Sequence, residues 1–193
     1  MALILATRLS VVAFVVIVAA FHVLRPDVNP VTRGISRYQW GPHGTAMSVG
    51  FGLLGVALLG AARVIQGWHL QNTFSSSLLR VSVLGSLLVA VFPLPEYPPL
   101  LHAIAHQLGG FVLFGAAALA SCITAVNGRP FVQRLGRLTT ALVILFFLAI
   151  LVNVPVVGLL QRLVLVAICA WIAIVTRTIA IPRRQSDPPA TPG

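Results

Sequence analysis

Six long apolar runs occupy most of this chain and constrain its fold more than any other feature. Each run is close to the ~20 residues that an α-helix needs to cross the hydrocarbon layer of a membrane. Inside lipid, each backbone N–H or C=O group without a hydrogen-bond partner costs several kcal/mol. A helix pairs these groups within the run itself, so the runs must be helical. The sequence predicts an all-α, polytopic transmembrane bundle with six spans, at about 5–24, 44–66, 76–93, 100–126, 138–154 and 158–181.

The composition excludes a soluble protein. Only 8% of the 193 residues are charged, against about 25% in soluble domains. This length allows a single six-helix domain, at 1–182, in which we expect the first run to be an uncleaved span. The remaining segment, 183–193, is rich in proline and small residues, so we predict a disordered cytoplasmic tail.

The positive charge predicts the orientation of the bundle. The net charge is +10, and all thirteen basic residues are arginines. No basic stripe with interleaved aromatic residues accompanies them, so we expect no nucleic-acid partner. Nine arginines fall on the side of the termini and four on the other side. The positive-inside rule therefore places both termini in the cytoplasm (N-in/C-in). We expect a multi-pass protein of the inner, or cytoplasmic, cell membrane.

The longest polar connection, 25–43, follows the first span and is predicted to lie at the outer interface. Asn29 and Pro30 are typical of a helix start, with asparagine as the N-cap and proline at the first helical position. Tyr38 and Trp40 follow, and both residue types concentrate at membrane interfaces. We therefore expect an ordered interfacial segment that contains a short helix.

Small residues recur at four-residue spacing on two of the spans. Gly44, Ser48 and Gly52 follow this pattern on the second span, and Ser82 and Ser86 follow it on the third. Such stripes allow helices to approach closely. They predict close packing within the bundle, and they leave open a role as an accessory subunit that packs against a membrane-protein partner or a second copy of the chain.

Glu96, His102 and His106 are the candidate catalytic residues. The two histidines are one helical turn apart at the start of the fourth span, so both lie on one helix face. With Glu96 they could hold zinc, or they could exchange protons with a water or a lipid. A purely structural polar network explains the same residues. We therefore expect no resident cofactor and keep zinc as an alternative.

Other polar side chains fall at the same outer end of the spans. Arg162 is the outer arginine nearest the hydrocarbon, where it could bind a phosphate or carboxylate headgroup, or pair with Asp27 or Glu96. The predicted ligand-binding residues at this face are His22, Asp27, Tyr38, His43 and Arg162.

These features favour one function and leave two others open. No span has a charged residue at its middle, which argues against an ion-driven transporter. The favoured function is the binding or handling of a lipid, or of another amphipathic ligand, from the outer leaflet, with membrane lipids as partners. The first alternative is an enzyme acting on a lipid or isoprenoid, with Glu96 or Asp27 as acid and His102 or His106 as base. The second is the accessory subunit.

Several short motifs resemble those of the bacterial domain-of-unknown-function 998 family. They are the outer segment Asn29–Tyr38 with Gly41–Gly44, the Phe92–Pro93 turn, His102 early in the following helix, and Gly158–Arg162 before the last span. The resemblance extends over about 5–180 and implies a six-helix membrane bundle. It implies no activity, because the family has no assigned function.

Overall fold

The computed structural model describes residues 1–67, 73–95, 97–124 and 129–180, and these ranges contain helices and no strands. Each of six helices is long and apolar enough to cross a membrane, which confirms the predicted six-span, all-α fold of a multi-pass membrane protein. The predicted tail, 183–193, lies outside the described residues. The helices are α1 (Ala2–Leu24), α2 (Gly44–Gln66), α3 (Thr73–Val91), α4 (Leu100–Ile123), α5 (Pro130–Leu151) and α6 (Val157–Ala180), with a 3₁₀ helix at Ile35–Gln39.

The start of α5 differs most from its predicted position. The helix begins at Pro130 rather than at 138, and proline at the first helical position lacks an N–H that would be unpaired there anyway. Arg134 and Arg137 are exposed on its first turns. The apolar run therefore marks only the part of α5 that lipid must cover, while the helix continues into the polar region.

Each helix packs against the next one along the chain, and α6 closes the bundle by packing against α2 and contacting α1. The α2 helix is the most enclosed of the six, and α1 is the least enclosed. The fully buried side chains of the bundle include Phe14 of α1, Phe51 and Leu54 of α2, Leu113 of α4 and Trp171 of α6. The core therefore runs along α2, and α1 lies against it with most of its surface facing lipid.

Small residues bring α3 and α4 together. A Cβ atom added to Gly85 would collide with the backbone of α4, and one added to Gly109 would lie 2.9 Å from the carbonyl oxygen of Gly85. The serines of α3 bond to both neighbouring helices. Ser82 donates to a carbonyl oxygen of α4 and Ser86 to one of α2, each at 2.7 Å. These contacts fit the close approach that was predicted for this pair of serines.

The small-residue stripe of α2 has a different role from the one predicted. Residues 25–43, called the cap below, cover this end of α2. A Cβ atom on Gly44 would collide with the carbonyl group of Gln39, and Ser48 accepts a hydrogen bond from the Gln39 side chain at 3.0 Å. Gly52 faces open space. Gly44 and Ser48 therefore accommodate the cap rather than a neighbouring transmembrane helix.

The cap combines one predicted feature with one that was not predicted. The Asn29 side chain accepts two N–H bonds from the next turn, at 2.9 and 3.3 Å, as expected of a capping residue. The turn does not continue, and the 3₁₀ helix Ile35–Gln39 follows it. Trp40 is exposed, whereas Tyr38 is fully buried. Its ring stacks on Phe21 of α1, with the centroids 5.3 Å apart, and this contact removes it from the interface.

Candidate functional site

The candidate site is centred on Arg162, which lies on the second turn of α6 at the cap end of the bundle. Its Nε atom donates a hydrogen bond to Nε2 of His22 at 2.9 Å, and its Nη2 atom donates to the Tyr38 hydroxyl at 3.1 Å. The guanidinium carbon lies 5.7 Å from the centre of the Tyr38 ring, within range of a cation–π attraction. Arg162 thus joins α6 to both α1 and the cap.

His22 accepts the bond from Arg162 because its other ring nitrogen is a donor. Its Nδ1 atom lies 2.7 Å from the carbonyl oxygen of Val18. A carbonyl oxygen only accepts hydrogen bonds, so Nδ1 carries the hydrogen and Nε2 presents its lone pair to Arg162. This neutral imidazole does not cancel the positive charge of the guanidinium.

Backbone carbonyl groups provide the other partners of Arg162. Its Nη1 atom donates to the carbonyl oxygens of Pro30 and Arg33, each at 2.8 Å, and of Gly158 at 2.9 Å. These partners are dipoles without net charge. They fix the direction of the guanidinium plane and leave one Nη2 hydrogen without an acceptor among the described residues.

Two neighbours of Arg162 allow α6 to reach the cap. A Cβ atom on Gly158 would collide with the backbone of Arg33, so only glycine permits this approach. The Gln161 side chain accepts a hydrogen bond from the N–H of Ile35 at 2.7 Å. The first two turns of α6 therefore hold the cap by its backbone.

Asp27 interacts with Arg25 rather than with Arg162. The Arg25 guanidinium donates from Nε and Nη2 to the two carboxylate oxygens, at 2.8 and 2.6 Å, and its Nη1 atom donates to the carbonyl oxygen of Trp40. The hydrogen bond from Arg25 holds the pKa of Asp27 below its ordinary value, and the same bond raises the pKa of Arg25. The suggested pair between Asp27 and Arg162 is therefore wrong, because a closer arginine occupies the carboxylate.

The two histidines of α4 both contact Phe92, at the end of the preceding span, but in different ways. His106 is buried, and its Nδ1 atom lies 2.7 Å from the Phe92 carbonyl oxygen. The half-buried ring of His102 meets the Phe92 ring edge-on, with centroids 5.4 Å apart. Glu96, the predicted acidic partner, lies outside the described residues. A catalytic role for these three residues stays a prediction.

No cluster of three or more His, Cys, Asp and Glu side chains that could hold a metal ion occurs in the described ranges. The zinc alternative required Glu96 beside the histidines of α4, so it gains no support from this geometry. His43 precedes α2 in a left-handed conformation, with φ of 63°, and its side chain is exposed on the cap.

The predicted site residues do not converge on one pocket, and four of the described ones fall beside two different spaces. His22, Tyr38 and Arg162 meet between α1, the cap and α6. His106 instead lines a cavity on another side of α6, to which Gln161 also contributes. Neither Tyr38 nor His102 lines this cavity.

A groove leads away from Arg162 along the surface of the bundle between α1 and α6. Its volume is about 420 Å³. His22 and Arg162 lie at its cap end, and the other described wall residues are apolar. Those apolar residues are Phe14, Val15, Val18 and Ala19 on α1, with Leu165, Val166 and Cys169 on α6.

Residues 9–178 match the family model described as protein of unknown function (DUF998). The chain belongs to this family. The match confirms the resemblance seen in the sequence motifs, and it includes both the cap and Arg162. No curated protein and no solved structure matches the chain.

Two residues of this DUF998 site were not predicted from the sequence. From the sequence, Arg25 is one of the four outer arginines that set the orientation, and no pattern assigns a partner to Gln161. Both hold the cap, Arg25 through Trp40 and Gln161 through Ile35. Gln161 lies within the motif Gly158–Arg162, so that motif was the signal available for it.

Proposed function

We propose that this protein binds an anionic phospholipid, with the headgroup at Arg162 and an acyl chain in the groove between α1 and α6. The observation that carries the proposal is the position of an arginine with only neutral partners at the mouth of an apolar groove. The arginine bias of the chain supports an outward-facing cap end, and so a lipid of the outer leaflet.

The headgroup provides the selectivity in this arrangement. An acyl chain gains little by leaving other acyl chains for an apolar groove, because lipid tails and leucine side chains are similarly apolar. A cation close to the membrane surface attracts an anionic lipid by about 1 kcal/mol, which is about fivefold in affinity. The carbonyl groups around Arg162 orient it before the lipid arrives, which lowers the entropic cost of binding.

Native mass spectrometry of the full chain in nanodiscs that contain phosphatidylglycerol and phosphatidylcholine tests this proposal. The wild-type protein should retain phosphatidylglycerol preferentially, by about fivefold or more. Arg162→Gln removes the positive charge and should abolish the preference. Equal retention of the two lipids by the wild-type protein would overturn the proposal.

A pair of groove variants separates lipid binding from the structural role of Arg162. Ala19 lines the groove, whereas the adjacent Ala20 is exposed elsewhere on α1. Ala19→Phe should fill the groove and reduce retention of phosphatidylglycerol, and Ala20→Phe should retain as much as the wild-type protein. If both variants retain the lipid equally, the groove is not the binding site.

The enzyme and accessory-subunit alternatives remain predictions from the sequence. The enzyme needs an acid beside His102 or His106, and the described carboxylate, Asp27, is paired with Arg25 in the cap. It predicts that His102→Ala abolishes turnover without unfolding. The accessory role predicts that the function of the protein depends on a membrane-protein partner. Neither His102→Ala nor Arg162→Gln should then change that function.

A further inference from the structure

A cavity lies beneath the cap, on the side of α6 away from the groove. Its volume is about 270 Å³. Engineered cavities of about 150 Å³ bind benzene, so this cavity has room for a molecule roughly twice that size. Four polar side chains line it, and its described lining contains no Asp, Glu, Lys or Arg. The polar side chains are Ser36, His106, Gln107 and Gln161.

His106 presents an unused hydrogen-bond acceptor in this cavity. The residue is 94% buried, with a relative exposure of 6%. Its Nδ1 atom must carry the hydrogen, because it bonds to the carbonyl oxygen of Phe92 at 2.7 Å. Nε2 is then a lone-pair acceptor with no partner in the described part of the chain. A ligand that donates a hydrogen bond can therefore use this acceptor without breaking a bond within the protein.

Gln161 presents the complementary donor. Its side-chain oxygen accepts from the N–H of Ile35 at 2.7 Å, which assigns the carbonyl end of the amide to the cap. The two amide hydrogens remain without an acceptor among the described residues. A hydroxyl group is the ligand head that both donates and accepts, so it suits a cavity that offers an acceptor and a donor.

Phenylalanine rings form the apolar part of the lining. Phe111 and Phe114 come from α4, and Phe146 and Phe147 come from α5. These rings contact one another, with centroids 5.1 Å apart for Phe111 and Phe147 and 5.4 Å apart for Phe114 and Phe146. Aromatic walls favour flat, unsaturated or aromatic ligand bodies. The described lining offers no counter-charge to a charged head, and burying a charge without one is very costly.

We propose that this cavity binds a compact neutral alcohol or phenol with an unsaturated or aromatic body. The hydroxyl donates to Nε2 of His106, the polar side chains of the cavity donate to its oxygen, and the phenylalanines contact its apolar body. Phe111 and Gln107 are exposed at the membrane-facing side of α4, where a ligand dissolved in the membrane can enter. This site is independent of the lipid site at Arg162.

Titration of the full chain in phosphatidylcholine nanodiscs with 2-naphthol tests the proposal, with partition into empty nanodiscs subtracted. Wild-type protein should bind 2-naphthol saturably. It should bind 2-methoxynaphthalene, which lacks the hydroxyl hydrogen, about tenfold more weakly, and 2-naphthoate should not bind. Equal affinities for 2-naphthol and its methyl ether, or no saturable binding, would overturn the proposal.

Two glycines of α4 provide a matched pair of variants. A Cβ atom on Gly110 or on Gly115 would meet nothing within 4 Å, so both positions accept larger side chains. Gly110 lines the cavity and Gly115 does not. Gly110→Leu should abolish saturable binding of 2-naphthol, while Gly115→Leu should bind like the wild-type protein. Equal binding by the two variants would refute the location.

His106→Asn tests the acceptor itself. Asparagine can still donate to the Phe92 carbonyl group but has no group in the place of Nε2, so affinity for 2-naphthol should fall about tenfold. His102→Asn, one turn away and outside the cavity lining, is the control and should have no effect. Ala19→Phe, which fills the lipid groove, should also bind 2-naphthol normally, so the two proposals fail or succeed separately.

Discussion

Arg25 and Arg162 are both arginines at the cap end, but their partners give them different electrostatic properties. Arg25 faces the Asp27 carboxylate, with two N–O distances of 2.8 and 2.6 Å. Arg162 bonds to carbonyl groups, an imidazole and a hydroxyl, none of which carries a negative charge. An anion therefore gains more from Arg162 than from Arg25, whose field is largely cancelled nearby.

The pair formed by Arg25 and Asp27 predicts how the cap responds to acid. Because the pKa of Asp27 is lowered from its ordinary value of 3.8, the ion pair stabilises the folded cap above about pH 5. This contribution is lost as the pH falls through 3.8 towards the lower pKa of the folded state. Asp27→Asn should therefore loosen the cap at pH 7, and its difference from the wild-type protein should shrink as the pH falls below 3.8.

Hydrogen exchange of the cap backbone measures this difference. At pH 7 the variant should exchange faster than the wild-type protein around Trp40, whose carbonyl group bonds to Arg25. In acid the two proteins should converge. Asp27→Asn and wild-type profiles that coincide at every pH would contradict a stabilising role for the ion pair.

Residue types at the cap end could be predicted from the sequence, but their partners could not. Scarce polar residues near span ends pointed to His22 and Arg162. The sequence could not show that Arg162 bonds to the backbone of residues that lie 129 and 132 positions away. Every residue has a backbone carbonyl group, so the amino-acid sequence does not indicate which of these groups will bond to an arginine. The burial of Tyr38 was missed for a similar reason, because it depends on the position of Phe21 on another helix.

At the scale of helices, the contact between α3 and α4 depends on Gly85. Gly85→Ala places a Cβ atom against the α4 backbone, and we expect a loss of about 1–3 kcal/mol in the free energy of unfolding. Gly52→Ala is the control, because its Cβ atom meets no neighbour within 4 Å. It should be neutral or stabilising by up to about 1 kcal/mol, since alanine is the better helix former.

Thermal unfolding of the two variants in the same detergent provides the measurement. Gly85→Ala should melt below the wild-type protein, and Gly52→Ala should melt at the same temperature or above it. If Gly85→Ala and Gly52→Ala have the same melting temperature, the α3 and α4 backbones do not approach each other as closely as described.

The existence of the helices could be predicted because lipid permits few other structures for long apolar runs. Their ends were harder to predict. The first turns of α5 contain Arg134, so a hydropathy window excludes them although the helix has already begun. The spacing of Gly44 and Ser48 indicated a close contact correctly, but spacing alone does not identify the element that makes it.

For the whole molecule, the testable property is its orientation in the membrane. In a Cys122→Ser, Cys169→Ser background, Thr32→Cys on the exposed cap should react with a membrane-impermeant maleimide added to intact cells. Arg134→Cys, which is exposed at the opposite end of the bundle, should react only after permeabilisation. The reverse pattern would place the cap in the cytoplasm and remove the outer-leaflet assignment of the lipid.

The α6 helix contributes residues to both the groove and the cavity under the cap. The adjacent residues Gln161 and Arg162 line different spaces, the cavity under the cap and the groove beside α1. The sequence predicted a single polar pocket because it placed all the polar residues at one end. Their division between two sides of α6 depends on how α6 is rotated about its own axis relative to its neighbours. An apolar run indicates a span but says little about this rotation.

The contact between the cap and α6 has a consequence for how the chain enters the bilayer. The cap leaves the ribosome long before Arg162, which follows Arg33 by 129 residues. Until α6 has been inserted, the carbonyl groups of Pro30 and Arg33 lack the guanidinium that binds them. The early segment therefore reaches its final conformation only when the sixth helix arrives, and biogenesis is completed near α1, where translocation began.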